Sequence, residues 1–211
     1  MDNAVALVQA YLRLNGYFTV AEYPIMETRK HGDVEMATDI DILAFRFPGA
    51  FRQIIGRHGR NQEKELSIPD PHLHVPDGKP DMIIGEVKEG HARINKSMRH
   101  PAVISAALAR FGCCSLDHAE QTAEKLLHTG HADTPEGHHA RIMVFAPSGD
   151  EDRRFELLPL SHVTSFLRGF LREHWEVMKH LQFRDPVLSM LMTLEKVDRE
   201  PADETETGDA R

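Results

Sequence analysis

Apolar residues at the start of the chain recur at helical spacing. Over residues 3–15, valine, leucine and alanine side chains mark one broad face, and Asn15 and Gly16 then form a typical helix end. Residues 17–25 are rich in aromatic and β-branched side chains, which is typical of a strand. The pattern therefore predicts an N-terminal helix followed by a strand.

The next apolar segments are short, as expected for strands of a covered sheet. Residues 38–47 (TDIDILAFRF) alternate aspartate with isoleucine before they become apolar, and residues 81–88 (DMIIGEVK) form a third strand. Two further strands are predicted at 140–147 and 153–160. The 32 residues of the connection 48–79 show little periodicity, and connections of that length tend to be functional or disordered.

The second half of the chain contains the longest helical patterns. Residues 101–112 and 115–130 predict two helices, each stopped by a glycine. Residues 161–182 carry the clearest pattern, with apolar side chains three and four positions apart. Asp185 and Pro186 then predict the start of a last, short helix.

The order of these elements indicates the fold class. The sequence α-β-β-β-α-α-β-β-α-α is typical of an α/β fold with a mixed sheet flanked by helices. We predict a single domain over residues 1–197. Residues 198–211 contain six acidic and two basic residues and nothing more apolar than alanine, so we expect a disordered acidic tail.

The composition indicates the class of protein and the cellular location to expect. Of 211 residues, 41% are hydrophobic and 27% are charged, as in ordinary globular proteins. No apolar run approaches the roughly 20 residues that a bilayer span requires. The N-terminus carries an acid where a secretory signal carries positive charge. Because Cys113 and Cys114 are adjacent and cannot form a disulfide framework, we expect a reducing, cytoplasmic location without a membrane partner.

The net charge of −8 weakly disfavours a nucleic-acid partner, but the basic residues are concentrated. Residues 46–64 contain five basic residues against one acid, and residues 88–99 contain four against one. Such runs are commonly only a solvated surface, yet they also suit a phosphate backbone. The candidate substrate-binding residues in these stretches are Arg57, Arg60, Arg93 and Lys96.

Charged residues interrupt the two most apolar strands. Because side chains alternate across a strand, Glu86 and Lys88 share one face of their strand, and Asp39 and Asp41 share one face of theirs. Buried without partners, such charges would cost several kcal/mol, so they need partners or a metal. If the strands pair, two carboxylates and a lysine converge, and carboxylate oxygens suit Mg²⁺ or Mn²⁺ better than zinc.

Together these segments resemble the PD-(D/E)XK nuclease superfamily, with Asp41 followed by Glu86-Val87-Lys88. The resemblance covers roughly residues 1–147 and implies a restriction-endonuclease-like αβββαβ core, with the C-terminal helices as additions. It also implies that Asp41, Glu86 and the backbone carbonyl of Val87 hold the metal. Lys88 would orient or help deprotonate the attacking water, or stabilise the charge of the transition state.

Pro80 and Asp81 spell the "PD" of the family name literally. However, Asp81 begins the same strand that holds Glu86, and five residues at ~3.3 Å each separate the two by ~16 Å. That distance is too long for one shared ion. We therefore assign Asp41 as the ligand and Asp81 as a strand-start residue.

Several further residues are candidates for supporting roles beside the site. Asp39 is a candidate supporting or spare acid beside the site. Many superfamily members carry an extra acid on the first helix, where this chain offers only Asp2 and Gln9. Some branches use a glutamine from a later helix, for which Gln121 is the candidate. The choice between one and two metal ions therefore stays open.

The function that the resemblance implies is Mg²⁺- or Mn²⁺-dependent hydrolysis of phosphodiester bonds in DNA, in repair, restriction or mobile-element defence. One alternative is a catalytically silent nucleic-acid-binding or assembly module, in which Asp41, Glu86 and Lys88 form an internal salt-bridge cluster. The apolar stripe of residues 161–182 is typical of core packing or of a homodimer interface.

Another alternative is a protein organised by zinc. Four histidines follow the two cysteines closely in sequence, but their spacing fits no standard zinc finger and the cysteines are vicinal. A polar loop with two buried thiols is the simpler interpretation. The histidines concerned are His128, His131, His138 and His139.

Overall fold

The structure is a computed structural model that describes residues 2–51, 53–54, 64–65, 69–90, 94–149, 153–181 and 184–199. Within these ranges it contains six α-helices and a mixed, open, six-stranded sheet. The helices are α1 (Asn3–Leu14), α2 (Pro101–Phe111), α3 (Leu116–Thr129), α4 (Leu160–Glu173), α5 (Trp175–Met178) and α6 (Pro186–Arg199). The strands are β1 (Phe18–Thr28), β2 (Val34–Arg46), β3 (Gln53–Ile54), β4 (Lys64–Glu65), β5 (Asp81–Val87), β6 (His131–Asp133), β7 (His139–Ala146) and β8 (Glu156–Pro159).

The sheet combines an antiparallel and a parallel half. Its strand order is β1-β2-β5-β7-β6, with β8 also paired to β7. β1, β2 and β5 are successive antiparallel neighbours, whereas β5 and β7 are parallel and are connected through α2 and α3. The short strands β3 and β4 form a separate two-stranded ladder. The predicted α/β class with a mixed sheet is therefore confirmed.

Helices cover both faces of this sheet. On one face, α2 and α3 pack over a cluster that includes Leu43 of β2 and Ile84 of β5. On the other face, α1, α4 and α6 pack over Ile42 and Ile83 of the same strands. All seven residues of β5 are buried. The central strand thus lies between two cores, which explains its nearly continuous apolar sequence.

The first helix begins and ends close to the predicted positions. The Ala4 N–H donates to Asp2 Oδ1 at 2.9 Å, a typical N-cap contact. At the other end, Asn15 Nδ2 donates to the carbonyl of Tyr11 at 2.8 Å and satisfies a terminal acceptor. Asp2 is therefore the residue that defines where α1 starts.

A buried polar network anchors the start of β5. Arg141 of β7 donates from Nη2 to Asp81 Oδ2 at 2.8 Å and from Nη1 to Glu156 Oε2 at 2.8 Å. The hydroxyl of Tyr17 also donates to Asp81, and burial followed by the charge of Asp81 raises the pKa of Tyr17. Asp81 is thus a buried partner of an arginine at the start of the strand, the position that the sequence analysis assigned to it.

Two C-terminal predictions are wrong in detail. The helix predicted at 161–182 is divided, because the backbone leaves helical geometry at His174 between α4 and α5. The helix that starts at Pro186 is not short but has 14 residues. Its last turn is held by Glu195, which accepts hydrogen bonds from Arg172 at 2.9 Å and Arg199 at 2.8 Å.

The tail and the strands also differ from their predictions at the boundaries. Residues 198–199 of the predicted tail are the end of α6, and the rest of the tail lies outside the described residues. β2 starts earlier than predicted because it forms a long hairpin with β1. β6 has only three residues, too few for a sequence pattern, and forms by pairing with β7. None of the helices in the described ranges has the length and apolar character that a bilayer crossing requires.

We predict that Asp81→Ala destabilises the protein by about 3–5 kcal/mol, because it removes the buried charge partner of Arg141 and leaves only the partly exposed Glu156. Chemical denaturation measures this loss. Asp133→Ala is the matched control, because it removes a carboxylate from an exposed ion pair with Lys79 and should cost no more than about 1 kcal/mol. Equal losses in the two variants would contradict an anchoring role for Asp81.

Candidate active site

The two predicted carboxylates lie on neighbouring strands at the same level of the sheet. β2 pairs antiparallel with β5, and the register sets Ile42 opposite Gly85. The next position on each strand is Asp41 on β2 and Glu86 on β5. The Val87 N–H donates to Asp41 Oδ2 at 2.7 Å, so the Asp41 side chain reaches across to β5. The predicted adjacency of these two strands is confirmed.

Lys88 joins the two carboxylates. Its Nζ lies 2.6 Å from Glu86 Oε1 and 3.8 Å from Asp41 Oδ2. The side chain of Glu86 is only 3% exposed, whereas those of Asp41 and Lys88 are 21% and 34% exposed. The three charged groups therefore form one cluster that is closed on the Glu86 side and open to solvent on the other.

Burial changes the ionisation of all three groups. It raises the pKa of Glu86 and of Asp41, although the Lys88 ammonium acts in the opposite direction on both. For Lys88, burial alone would lower the pKa, but the hydrogen bond and the charge of Glu86 outweigh it and raise the pKa. The lysine is thus held as a cation, while the two carboxylates remain short of positive charge.

Neighbouring groups extend the cluster. The Asn95 N–H donates to Glu86 Oε1 at 3.3 Å, so the chain after β5 folds back over the buried carboxylate. The charges of Asp39 and Asp2 each contribute to raising the pKa of Asp41. The contribution of Asp2, an acid at the start of the first helix, is the smallest of those that raise or lower the pKa of Asp41. Asn95 has no sequence signal, because its contact is made by a backbone N–H.

The backbone is irregular beside Asp41. Ala21 pairs with Ile42 and Tyr23 pairs with Ile40, so Glu22 of β1 is level with Asp41. Glu22 has a φ of +52°, in the left-handed region that side chains other than glycine rarely adopt. Such conformations cost of order 1–3 kcal/mol and concentrate at functional sites.

The donor set fits a hard divalent cation. Asp41 and Glu86 offer carboxylate oxygens only, which are the ligands that Mg²⁺ and Mn²⁺ prefer. In this structure the Lys88 ammonium lies between them and supplies the positive charge that both carboxylates need. The resemblance assigns the Val87 carbonyl as a further ligand, and the Val87 N–H is already bonded to Asp41. These residues could therefore hold a Mg²⁺ or Mn²⁺ ion.

The structure describes only some of the other residues that the sequence predicts at the site. Lys96 is exposed and is the next residue after Asn95. Gln121 is an exposed residue of α3 and, in the described part of the chain, has no hydrogen bond to Asp41, Glu86 or Lys88. The other candidate substrate-binding residues, Arg57, Arg60 and Arg93, lie outside the described residues.

Arg46 does not belong to a basic surface, although it was counted in the first basic stretch. It is 5% exposed and donates to the carbonyls of Asn15 at 3.1 Å, Phe47 at 3.3 Å and Ala50 at 2.8 Å. Its guanidinium therefore satisfies chain carbonyls around the end of α1, and the stretch offers one basic side chain fewer at the surface than the sequence suggests.

The histidines that follow the cysteines do not form a zinc site with them. His138 Nδ1 lies 2.9 Å from the backbone carbonyl of Cys113, and His139 Nδ1 lies 2.8 Å from Asp133 Oδ1. Burial raises the pKa of the Cys113 thiol to about 12, which leaves it protonated at neutral pH. Of the two thiols that the simpler interpretation expects to be buried, Cys113 is buried and Cys114 is half-buried.

A second cluster of possible metal ligands was not identified from the sequence. Within the described ranges, the only group of three His, Cys, Asp or Glu side chains close enough to hold one ion is Asp70, His72 and His162. Burial alone would raise the pKa of Asp70, but hydrogen bonds from Tyr11 and His162 outweigh it and lower the pKa. The sequence could have indicated the Asp70–His72 spacing, but not His162, which is 92 positions from Asp70.

Comparison with known proteins adds nothing to these observations, because no protein-family model, no curated protein and no solved structure matches the chain. Any functional conclusion therefore rests on the residues and their geometry.

We predict that Mn²⁺ binding depends on Asp41 but not on Lys88. Asp41→Asn should weaken Mn²⁺ binding at least about tenfold, because it removes an anionic ligand. Lys88→Met should leave binding unchanged or tighter, because a neighbouring positive charge repels a divalent cation. Isothermal titration calorimetry measures both. Asp117→Asn, at the exposed start of α3, is the control and should match the wild type. Equal loss in the Asp41 and Lys88 variants would argue that the lysine only supports the fold.

Proposed function

We propose that the chain is a metal-dependent nuclease that hydrolyses phosphodiester bonds of DNA. The observation that carries the proposal is the convergence of Asp41, Glu86 and Lys88 at one partly open point of the sheet, with Lys88 Nζ 2.6 Å and 3.8 Å from the two carboxylates. An acid pair and a lysine in this arrangement provide metal ligands together with a cation for a phosphate or for water.

The connectivity supports the proposal. α1 precedes the antiparallel strands β1, β2 and β5, and α2 and α3 lead to β7, which is parallel to β5. An αβββαβ core of the kind that the resemblance implies would have this order. In such a core, Asp41 would belong to the second strand, and Glu86-Val87-Lys88 would lie at the end of the third.

The metal ligands would be Asp41, Glu86 and the carbonyl of Val87. A bound Mg²⁺ or Mn²⁺ ion supplies charge neutralisation at the scissile phosphate and lowers the pKa of water. The Val87 N–H and the Asn95 N–H hold one oxygen each of Asp41 and Glu86, so both carboxylates are already oriented before any ligand binds. Such orientation reduces the reorganisation that the reaction requires.

Lys88 has two roles in this proposal. Its raised pKa keeps it protonated at neutral pH, so it acts first as a positive charge. From its partly exposed position it can donate a hydrogen bond to the attacking water and stabilise the negative charge that develops on the phosphate oxygens. If Glu86 held a divalent ion, its charge would be shared with that ion, and the Lys88 ammonium could turn from Glu86 towards the substrate.

One observation favours the second candidate function, a catalytically silent nucleic-acid-binding module. The short contact between Lys88 and Glu86 satisfies both charges without an ion, as in an internal salt bridge. Removing the lysine would leave the buried Glu86 carboxylate without its charge partner, which is destabilising. Because the same pair is present in both cases, Lys88→Met lowers stability under either function. The two functions differ in turnover: only the enzyme has a metal-dependent cleavage rate for this variant to lower.

We predict that the wild-type protein cleaves DNA in the presence of Mg²⁺ or Mn²⁺, and that Lys88→Met lowers the single-turnover rate about 10²-fold or more. A panel of single-stranded, duplex, branched and RNA substrates measures the activity and its substrate class. Lys125→Met is the matched control, because it removes an exposed lysine of α3 and should leave the rate unchanged.

The same panel decides between the two candidates. Cleavage by Lys88→Met at the wild-type rate would show that the lysine is structural and that the motif is a coincidence. Absence of metal-dependent cleavage on every substrate, together with retained DNA binding, would instead support the silent module.

A further inference from the structure

We propose a second metal site, for Zn²⁺, formed by Asp70, His72 and His162. Asp70 lies at its centre. Its Oδ1 is 3.2 Å from His72 Nδ1, and its Oδ2 is 2.6 Å from His162 Nε2. The candidate ligand atoms of the three residues all lie within 4.8 Å of one another. Two imidazole nitrogens and a carboxylate oxygen thus converge from two parts of the chain.

The carboxylate at the centre is held in place by groups that are not themselves ligands. Tyr11 of α1 donates its hydroxyl to Asp70 Oδ2 at 2.7 Å, and the Asp70 N–H donates to Asn15 Oδ1 at 2.7 Å. The His72 N–H also donates to Asp70 Oδ1 at 3.0 Å. The side chain of Asp70 is only 3% exposed. Hydrogen bonds of this kind orient ligands in known metal sites and raise their affinity.

The two histidines leave one side of the cluster open. Their rings lie 4.1 Å apart between centroids, and the His72 side chain is 65% exposed while that of His162 is 25% exposed. An ion bound by Asp70 and both histidines would therefore have protein ligands on three sides and solvent on the fourth. Three protein ligands with one open position is the arrangement of a zinc site that retains a water molecule.

The chemical types of the ligand atoms favour zinc over magnesium or calcium. Mg²⁺ and Ca²⁺ prefer oxygen ligands, whereas zinc binds imidazole nitrogen and carboxylate oxygen together. Zinc–ligand bonds of about 2.0–2.2 Å in a tetrahedron set neighbouring ligand atoms roughly 3.3–3.6 Å apart. His72 Nδ1 lies 3.2 Å from Oδ1 of Asp70 and His162 Nε2 lies 2.6 Å from Oδ2, and all the candidate ligand atoms lie within 4.8 Å of one another. The three ligand atoms are therefore close to, but not yet at, the spacing of a tetrahedral zinc site. The cluster therefore differs in chemistry from the Asp41–Glu86 pair.

The two sites are also separate in space. Asp2, whose charge acts on Asp41, begins α1, and Tyr11, which contacts Asp70, lies nine residues further along that helix. At 1.5 Å per residue this corresponds to about 14 Å along the helix axis. A zinc ion at Asp70 would connect the segment before β5 to α4, because its ligands come from that segment and from α4.

The test is a Zn²⁺ titration of the full chain after treatment with a chelator, in buffer that contains excess Mg²⁺ to occupy the oxygen-only site. We expect one equivalent of Zn²⁺ to bind the wild type, and His72→Ala and His162→Ala each to weaken the affinity at least about tenfold. Asp41→Asn should leave Zn²⁺ binding unchanged. Substitution with Co²⁺ provides a second readout, because a tetrahedral site gives a strong visible absorption that both histidine variants should lose.

His74→Asn is the matched control. His74 lies in the same segment, is 75% exposed and contacts Glu156, and asparagine tolerates its left-handed φ of +45°. This variant should bind Zn²⁺ as the wild type does. If His162→Ala fails to fold, His72→Ala decides, because its side chain is largely exposed. Wild-type protein that binds no Zn²⁺, or His72→Ala that binds it with wild-type affinity, would show that the cluster is only a hydrogen-bond network and would overturn the proposal.

Discussion

The antiparallel pairing of β2 with β5 is the interaction on which the rest of the structure depends. β5 is buried along its whole length, so its neighbours on both sides and the helices on both faces are arranged around it. The same pairing sets Asp41 and Glu86 at one level of the sheet. Because register in a sheet is tied to which face is buried, a slip by one residue would carry the carboxylates to opposite faces. Core formation and site formation are therefore one event.

The site of Asp41 and Glu86 contains more negative than positive charge. Glu86 is almost fully buried, Asp41 is partly buried, and one lysine lies between them. One ammonium cannot fully offset two carboxylates in a setting where burial disfavours charge, and the raised pKa values of both acids express this deficit. A group of this kind has a reason to bind a cation. The proposed nuclease chemistry makes use of that same deficit.

The polar residues near the start of β5 differ from those at its end in how far they are enclosed by the protein. Asp81 and Arg141 form a buried pair, to which Tyr17 and Glu156 add further hydrogen bonds. Asp70, in contrast, is buried but faces two histidines that reach solvent. Satisfied and enclosed charges stabilise the chain segments that they join, whereas a preorganised carboxylate with an open side can also take up a ligand. The presence of a solvent-exposed side, rather than the residue type, therefore distinguishes a candidate binding site from an ion pair that only stabilises the fold.

The sequence by itself determined the elements and the main candidate site. Hydrophobic periodicity is a local property, so it predicts α1, β2 and β5 to within a few residues, and the interruption of two apolar strands by Asp41 and Glu86 is visible without a structure. The two-residue alternation of a strand also determined that Glu86 and Lys88 share a face. These conclusions need only neighbours along the chain.

Other features were decided only by the tertiary structure, because they depend on contacts between distant residues. The break at His174 lies within an uninterrupted apolar pattern, and the pairing of β6 has no pattern of its own. Arg46 reads as part of a basic stretch, yet it is buried against backbone carbonyls. His162 joins Asp70 across 92 positions, and no periodicity encodes that meeting. Local periodicity thus determined the elements, whereas their packing decided which polar side chains meet.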